Sequence, residues 1–237
     1  MKTIGLLGGM SWESTVPYYR LINQRVGERL GGLHSAKIVL YSVDFHEIEV
    51  LQHADRWEEA GELLAAGARS LERAGADFLV LCTNTMHRVA GAIEAAVRLP
   101  LLHIADATAA EIARAGMRRV GLLGTRFTME QEFYSGRLQE HGLEVLTPGA
   151  KDRALVHRVI YEELCRGEIL PASRREYERI VESLVEVGAE GVILGCTEIS
   201  LLVPPGSSEI PLFDTTAIHA RAAADFALEG EEGEGPG

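Results

Sequence analysis

The sequence predicts an α/β protein built as two pseudo-symmetric parallel-sheet α/β domains from an internal duplication, with the active site in the cleft between them. Three observations carry that prediction. Short apolar runs of strand length alternate with longer amphipathic stretches of helix length, as in a parallel sheet covered on both faces. The pattern then repeats: Arg119-Val120-Gly121-Leu122-Leu123-Gly124-Thr125 echoes Thr3-Ile4-Gly5-Leu6-Leu7-Gly8-Gly9, and Ile210-Pro211-Leu212-Phe213-Asp214 echoes Leu99-Pro100-Leu101-Leu102. Each half also closes an apolar run with a Cys-Thr pair, in Leu81-Cys82-Thr83-Asn84-Thr85 and in Gly195-Cys196-Thr197-Glu198, and the two cysteines lie 114 residues apart.

Taken in order, Ile4 to Leu7 is a strand running into Gly8-Gly9-Met10-Ser11-Trp12-Glu13-Ser14-Thr15. Glycines there let the backbone approach a ligand, and Ser11 or Ser14 can cap the following helix, which stops near Gly31-Gly32. A helix start after a strand end suits a carboxylate or a phosphate. The glycines do not make a dinucleotide fingerprint. Lys37 to Val43 is the second strand, Arg56 to Ala74 an amphipathic helix, and Phe78 to Leu81 the strand that ends at Cys82. A helix over His87 to Val97 and a strand over Leu99 to Ile104 complete the first half. In the second half, Glu144 to Leu146 reads as a short strand, Lys151 to Arg166 and Ser173 to Val187 as helices, and Val192 to Leu194 as the strand before Cys196. Thr215 to Leu228 is a last helix that the repeat logic returns to the first half. The expected domains are therefore residues 1–104 with 215–228, and 105–214. Residues 229–237, acidic and glycine-rich, are expected to be a disordered tail.

Composition limits the partners. The 237 residues are 46% hydrophobic, enough for a sizeable core, and the formal charge of −12 argues against nucleic acid or an anionic membrane surface. Three cysteines without disulfide-framework spacing fit a reducing, cytoplasmic setting. The chain opens on a strand rather than a basic-then-apolar leader, and no apolar stretch nears the ~20 residues that span a bilayer. A soluble protein with no membrane partner is expected.

Two thiols at equivalent strand ends need a chemical explanation. Ligands of open parallel sheets bind beyond the C-terminal ends of the strands. Paired halves would bring Cys82 and Cys196 to opposite sides of one small ligand, which suits removing a proton from one face of a carbon and returning one to the other. A thiol of pKa ~8.5 can serve as acid or base near neutrality if it is tuned, and a helix start after each cysteine would favour the thiolate. The competing reading is that a buried cysteine is a small hydrophobe. Cys165, in the middle of a predicted helix, is read that way. A zinc site lacks the close-spaced ligands, a Cys-His hydrolase leaves the second thiol without a role, and none of Lys2, Lys37 and Lys151 suits a Schiff base. Neither a metal nor a cofactor is expected.

The stretches Ile4-Gly5-Leu6-Leu7-Gly8-Gly9-Met10-Ser11-Trp12-Glu13-Ser14-Thr15, Leu81-Cys82-Thr83-Asn84-Thr85-Met86-His87 and Leu194-Gly195-Cys196-Thr197-Glu198-Ile199 resemble the aspartate/glutamate racemase superfamily. Over about residues 1–228 the chain resembles the aspartate-racemase branch, and within it the broad-specificity amino-acid racemases. The resemblance implies a cofactor-independent two-base racemase with Cys82 and Cys196 as the general acid/base pair. Met10, Gln52, Thr83, Asn84, Thr85 and Thr197 match the family's substrate-binding positions, and a homodimer is implied.

Asp44 and Glu198 are candidates to position the substrate ammonium or a thiol proton. Asp44 equally suits a turn cap, and Glu198 the start of a helix. His46, His87 and His103 are read mainly as packed, hydrogen-bonded side chains. The loop read after the second strand, Asp44 to Gln52, holds no arginine or lysine, so neutral substrates such as homoserine are expected to compete with aspartate and glutamate; Arg126 and Arg166 are the cations left to reach in. The alternatives are a cysteine-dependent hydantoin racemase or decarboxylase, and a catalytically silent amino-acid-binding protein.

Overall fold

The computed structural model describes residues 1–203, 206 and 208–229. The expected disordered tail falls, beyond Glu229, outside the described residues. In chain order the elements are β1 (Ile4–Gly8), α1 (Trp12–Leu30), β2 (Ile38–Ser42), α2 (Phe45–His53), α3 (Trp57–Arg73), β3 (Phe78–Leu81), α4 (Ala90–Ala96) and β4 (Leu101–Leu102). There follow α5 (Ile104–Arg114), β5 (Arg119–Gly124), α6 (Arg126–Glu130), α7 (Glu132–Glu140), β6 (Glu144–Leu146), α8 (Ala150–Glu162) and α9 (Pro171–Glu186). The series closes with β7 (Gly191–Gly195), α10 (Ile199–Leu202), β8 (Leu212–Asp214) and α11 (Thr215–Leu228).

The strands form two four-stranded sheets in the orders β2-β1-β3-β4 and β6-β5-β7-β8. Every pairing is parallel. The same order occurs twice, and Cys82 and Cys196 each follow the third strand of their set. The chain separates into two compact units, Met1–His103 with His219 onward, and Ile104–Ile218. The division falls inside α11, whose first four residues go with the second unit and the rest with the first.

The first unit is built on β1 and β3, apolar runs buried along their whole length. Strands covered on both faces need such runs. Helix α3 turns Ala60, Leu64, Ala68 and Leu71 inward at helical spacing. Helix α11 presents Ala220, Ala223, Ala224 and Ala227, all fully buried, to a cluster of Ile4, Leu6, Tyr18, Ile22, Val26, Phe78, Val80 and Cys82. Small residues on that face let the helix backbone come close to the sheet. Phe226 meets Phe78 edge to face with ring centres 4.8 Å apart.

The second unit repeats the scheme around β5 and β7. Its largest fully buried side chains include Tyr134 and Tyr177. The Tyr177 hydroxyl donates to Val156 O at 3.0 Å, which satisfies a polar tip inside the core. Helix α9 begins with Pro171 in its first turn, where a missing N–H costs nothing.

Several expected elements differ. The stretch 44–52, read as a loop, is helix α2, in which only Ile48 and Gln52 are buried. One buried pair four residues apart is too little periodicity to announce a helix. The helix expected from His87 begins instead as a 3-10 turn over Thr85–Val89 before α4. The strand expected to reach Ile104 ends at Leu102, because Ile104 already starts α5. Cys165 is not in an α-helix: α8 stops at Glu162, and Cys165 sits in a 3-10 turn over Leu164–Arg166.

Candidate active site

In the first unit the C-terminal ends of β2, β1 and β3 lie side by side. Val43 N donates to Gly8 O at 3.0 Å and Cys82 N to Leu7 O at 2.9 Å. Three segments that carry candidate residues therefore leave the sheet together. The β1 segment turns at Gly9, whose φ of +93° is open to glycine alone at little cost. A Cβ there would lie 2.3 Å from Val43 O. Gly9 N donates to Thr15 Oγ1 at 2.8 Å, and Ser11 caps α1 by accepting from Ser14 N. Met10 is held buried between these two fixed points.

The β3 segment carries Cys82, Thr83, Asn84 and Thr85, all buried. Cys82 Sγ is 3.7 Å from Val80 O. His87 Nδ1 lies 2.7 Å from Thr83 O, and since a carbonyl only accepts, the ring donates from Nδ1. That bond ties the 3-10 turn back onto the residue after the thiol. His87 also packs on His103 at 4.4 Å between ring centres. His219, behind them, accepts from Tyr18 Oη at Nδ1 and donates from Nε2 to Leu102 O. His87 and His103 are therefore both buried and packed, His87 with its bond to Thr83 O, and His46 is on the surface.

Gln52, on α2, is buried and directs Nε2 at Met86 Sδ, 2.9 Å away, beside the Thr83–Thr85 segment. Asp44 accepts from His46 N at 3.0 Å as the N-cap of α2. The structure thus uses Asp44 as the cap that sequence reasoning had left as one of two readings.

In the second unit β7 ends at Gly195, and Cys196, Thr197 and Glu198 lead into α10. Thr197 Oγ1 is 2.8 Å from Thr216 Oγ1, and Thr215 Oγ1 donates to Leu194 O at 2.9 Å. These threonines fix the strand end against the start of α11. Glu198 is 4% exposed and accepts from Cys196 Sγ at 3.0 Å through Oε2. Its other oxygen lies 3.9 Å from Cys165 Sγ. Glu198 is therefore a thiol acceptor and makes no side-chain cap of α10. Cys165, expected to be a mid-helix core residue, is instead drawn to the same carboxylate. Its distance in sequence from Cys196 and its lack of a counterpart in the first half hid that contact. Arg126 and Arg166 are both exposed.

Burial pushes the Cys82 thiol well above the ordinary cysteine value. Cys196 moves the same way, through burial first and then the negative charge of Glu198. Cys165 follows for the same two reasons in the same order. This corrects the expectation that helix starts would favour the thiolates. The segments after the cysteines are a 3-10 turn and a four-residue helix, too short for a substantial macrodipole, so desolvation wins. Both thiols are protonated in the resting protein near neutral pH. Among the described residues no group of three or more His, Cys, Asp or Glu could hold a metal ion. No helix among them is long and apolar enough to cross a membrane.

The family model for Asp/Glu/hydantoin racemases matches residues 7–223. The chain belongs to that family. The broad-specificity amino-acid racemase RacX of Bacillus subtilis (strain 168) is 27% identical over 233 residues, covering 95% of this chain and 98% of the relative. An Asp/Glu racemase homologue from Yersinia pestis superposes with a TM-score of 0.90 at 61% identity, over 97% of this chain and all of that one. An aspartate racemase homologue from Pyrococcus horikoshii OT3 gives a TM-score of 0.84 at 36% identity, with the same coverage. Within this Asp/Glu racemase family the α/β architecture of two four-stranded parallel sheets is the shared one.

Proposed function

We propose that this chain is a cofactor-independent amino-acid racemase that interconverts L- and D-amino acids by two-base proton transfer, with Cys82 and Cys196 as the acid/base pair. The observation that carries the reading is the matched position of the two thiols. Each is the first residue beyond the third strand of its sheet, in a chain of the racemase family. A single-base or silent protein needs no second thiol there.

Both thiols rest protonated, so one must lose its proton before it can take another from Cα. In the second unit Glu198 accepts it: the proton passes from Cys196 Sγ to Oε2 over 3.0 Å, leaving a thiolate beside a neutral acid. Cys82 has Val80 O at its sulfur instead. The thiolate then removes the α-proton and the opposite thiol, Cys82, donates one, which leaves Cys82 as thiolate and Glu198 as neutral acid. The resting state returns when Glu198 releases its proton to solvent and Cys82 takes one from it. No cofactor delocalises the carbanion in this scheme. Its stabilisation falls to hydrogen-bond donors around the substrate carboxylate, drawn from Thr83, Asn84, Thr85 and Thr197, in surroundings of low dielectric. Met10 and Gln52 complete the substrate-binding set. Because the enantiomers have equal energies, kcat/KM is the same in both directions at every pH, whatever the difference between the two thiols. The asymmetry of the pair appears in kcat and in solvent-isotope incorporation.

Aspartate, glutamate or a neutral polar amino acid such as homoserine is the proposed substrate, and a homodimer acting in the cytoplasm the proposed setting. The absence of arginine and lysine from residues 44–52 supports neutral substrates competing with acidic ones. A kinetic panel in which aspartate or glutamate exceeds every neutral amino acid tenfold would end that part of the reading.

The deciding experiment is α-hydrogen exchange in D₂O followed by NMR on L- and D-amino acids, with wild type, Cys82→Ser and Cys196→Ser. Wild type is expected to exchange and invert both enantiomers, and each variant to stop inverting while retaining exchange of one enantiomer at most. If both variants invert like wild type, the thiols are not the pair. If only hydantoins exchange, the hydantoin-racemase reading replaces this one.

A further inference from the structure

An α-helix gives each carbonyl to the N–H four residues on, and a 3-10 turn gives it to the N–H three residues on. After both thiols the chain first winds the tighter way. His87 N donates to Asn84 O at 3.2 Å, and Leu201 N donates to Glu198 O at 3.1 Å. Each bond withholds the backbone donor that the preceding carbonyl would have received in an α-helix. Those two carbonyls are Thr83 O and Thr197 O, in the residues immediately after Cys82 and Cys196. A side chain from the same turn replaces the lost donor in each case. His87 Nδ1 donates to Thr83 O at 2.7 Å, and Ser200 Oγ donates to Thr197 O at 2.9 Å.

We propose that His87 and Ser200 are positioning residues of the two-thiol reaction, each fixing the peptide plane that follows one thiol; the assignment rests on the racemase reading. In a trans peptide the carbonyl and the next N–H point in opposite directions. Holding Thr83 O therefore sets the direction of Asn84 N–H, and holding Thr197 O sets that of Glu198 N–H. Other peptide groups around the thiols are held by backbone. Cys82 N donates to Leu7 O and Thr83 N to Leu81 O, both at 2.9 Å, and Ile199 N donates to Cys196 O at 3.1 Å. The side-chain bond is the part of each frame that a substitution can delete.

The surroundings make the first anchor rigid. His87, His103 and His219 are buried, and the His87 ring packs against the other two at 4.4 and 6.0 Å between ring centres. His219 is tied at both ring nitrogens, to Tyr18 Oη at 2.9 Å and to Leu102 O at 2.8 Å. A buried polar network with its partners in place holds one geometry. The second anchor needs less, because a serine hydroxyl reaches a carbonyl of the preceding turn directly. Misplacing a reacting group by about 1 Å can cost about a hundredfold in rate, so a small movement of either peptide matters. Each anchor serves one thiol, and so acts on the enantiomer whose α-proton that thiol removes.

Hydrogen exchange in D₂O, followed separately for each enantiomer, tests the assignment on the whole chain, with circular dichroism to confirm folding. His87→Leu keeps much of the ring's bulk without a donor, and His87→Asn puts an N–H at the same reach from the backbone as Nδ1. Ser200→Ala and Ser200→Thr form the matching pair. His87→Leu is expected to slow exchange of one enantiomer by about tenfold or more and the other by less than about threefold, and Ser200→Ala to do the reverse. The two conservative variants should each recover the affected enantiomer to within about threefold of wild type. A role in packing alone would slow both enantiomers alike and would favour His87→Leu, the better filler of an apolar place, over His87→Asn. As a readout independent of activity, long-range ¹H–¹⁵N spectra should show His87 as the neutral Nδ1–H tautomer. Equal slowing of both enantiomers by either deletion, conservative variants no better than the deletions, or an Nε2–H tautomer at His87 overturns the proposal and leaves the racemase reading in place. A wild type that exchanges neither enantiomer removes the racemase reading itself, and this assignment with it.

Discussion

At Cys196 the thiol donates to a buried carboxylate at 3.0 Å, and at Cys82 the sulfur has a backbone carbonyl at 3.7 Å. That difference is chemical as well as geometric, because a carboxylate can hold a thiol's proton and an amide oxygen holds it poorly. In the proposed mechanism Glu198→Gln should lower kcat at least tenfold near neutral pH. The amide removes a negative charge that pushes the Cys196 thiol up, but burial, the larger cause, remains. The thiolate must then form by losing its proton to solvent, so the activity of Glu198→Gln should climb as pH rises from 7 to 9, where wild type changes less. Initial rates against pH in a non-reactive buffer decide it, with Glu198→Asp expected to recover part of the loss. A Gln variant with a wild-type profile would assign the contact to structure alone.

At the scale of elements, two junctions position the site and can be tested separately. The first is the turn at Gly9 between β1 and α1. An alanine there must adopt a left-handed φ of +93° and put its Cβ 2.3 Å from Val43 O, backbone that cannot swing aside. Gly9→Ala should therefore displace the Met10 segment, raise KM severalfold and cost about 1–3 kcal/mol of stability, read by steady-state kinetics and urea unfolding. The second is the alanine face of α11 against β1 and β3. Ala224→Leu adds bulk to a fully packed contact and should cost about 1–3 kcal/mol, again by urea unfolding. Retained stability would mean that α11 can shift outward without loss. The missed helix α2 belongs to this scale too: the polar and exposed positions of residues 45–53 outnumber the buried ones, so tertiary placement rather than periodicity settles its state.

For the whole molecule, three buried or partly buried thiols, Cys82, Cys165 and Cys196, are all pushed upward by burial. Their ordinary value of ~8.5 holds in the unfolded chain. A group whose folded value lies above its unfolded one contributes stability that is intact below ~8.5 and is lost as pH climbs above it. The loss approaches about 1.4 kcal/mol per pH unit for each thiol. Urea unfolding under reducing conditions should therefore show a fall of a few kcal/mol between about pH 7.5 and 9.5, and Cys82→Ala should make the fall shallower. Equal stability at the two pH values would mean that water reaches the thiols and that burial does not govern them.

How much of this was legible in the chain follows from what is local. The two sheets, the repeat and the matched cysteines were legible because each is written in contiguous residues: apolar runs of strand length, the Gly5 and Gly121 echo, and a Cys-Thr pair closing a run in each half. A serine cap at the start of α1, though not which of Ser11 and Ser14 makes it, and the span of α11 were legible for the same reason. Other features depended on residues far apart in sequence meeting in space. Cys165 reaches Glu198 across 33 residues, His219 meets Tyr18 across 201, and Gln52 meets Met86 across 34. The state of the thiols belongs with these. Sequence placed helix starts beside them and so expected thiols tuned toward the thiolate, whereas the folded chain sets those dipoles in short segments and buries the sulfurs. Local pattern determined where the thiols stand. Their surroundings, assembled from the whole of each unit, decided what charge they carry, because desolvation depends on everything packed around a group and not on its neighbours in the chain.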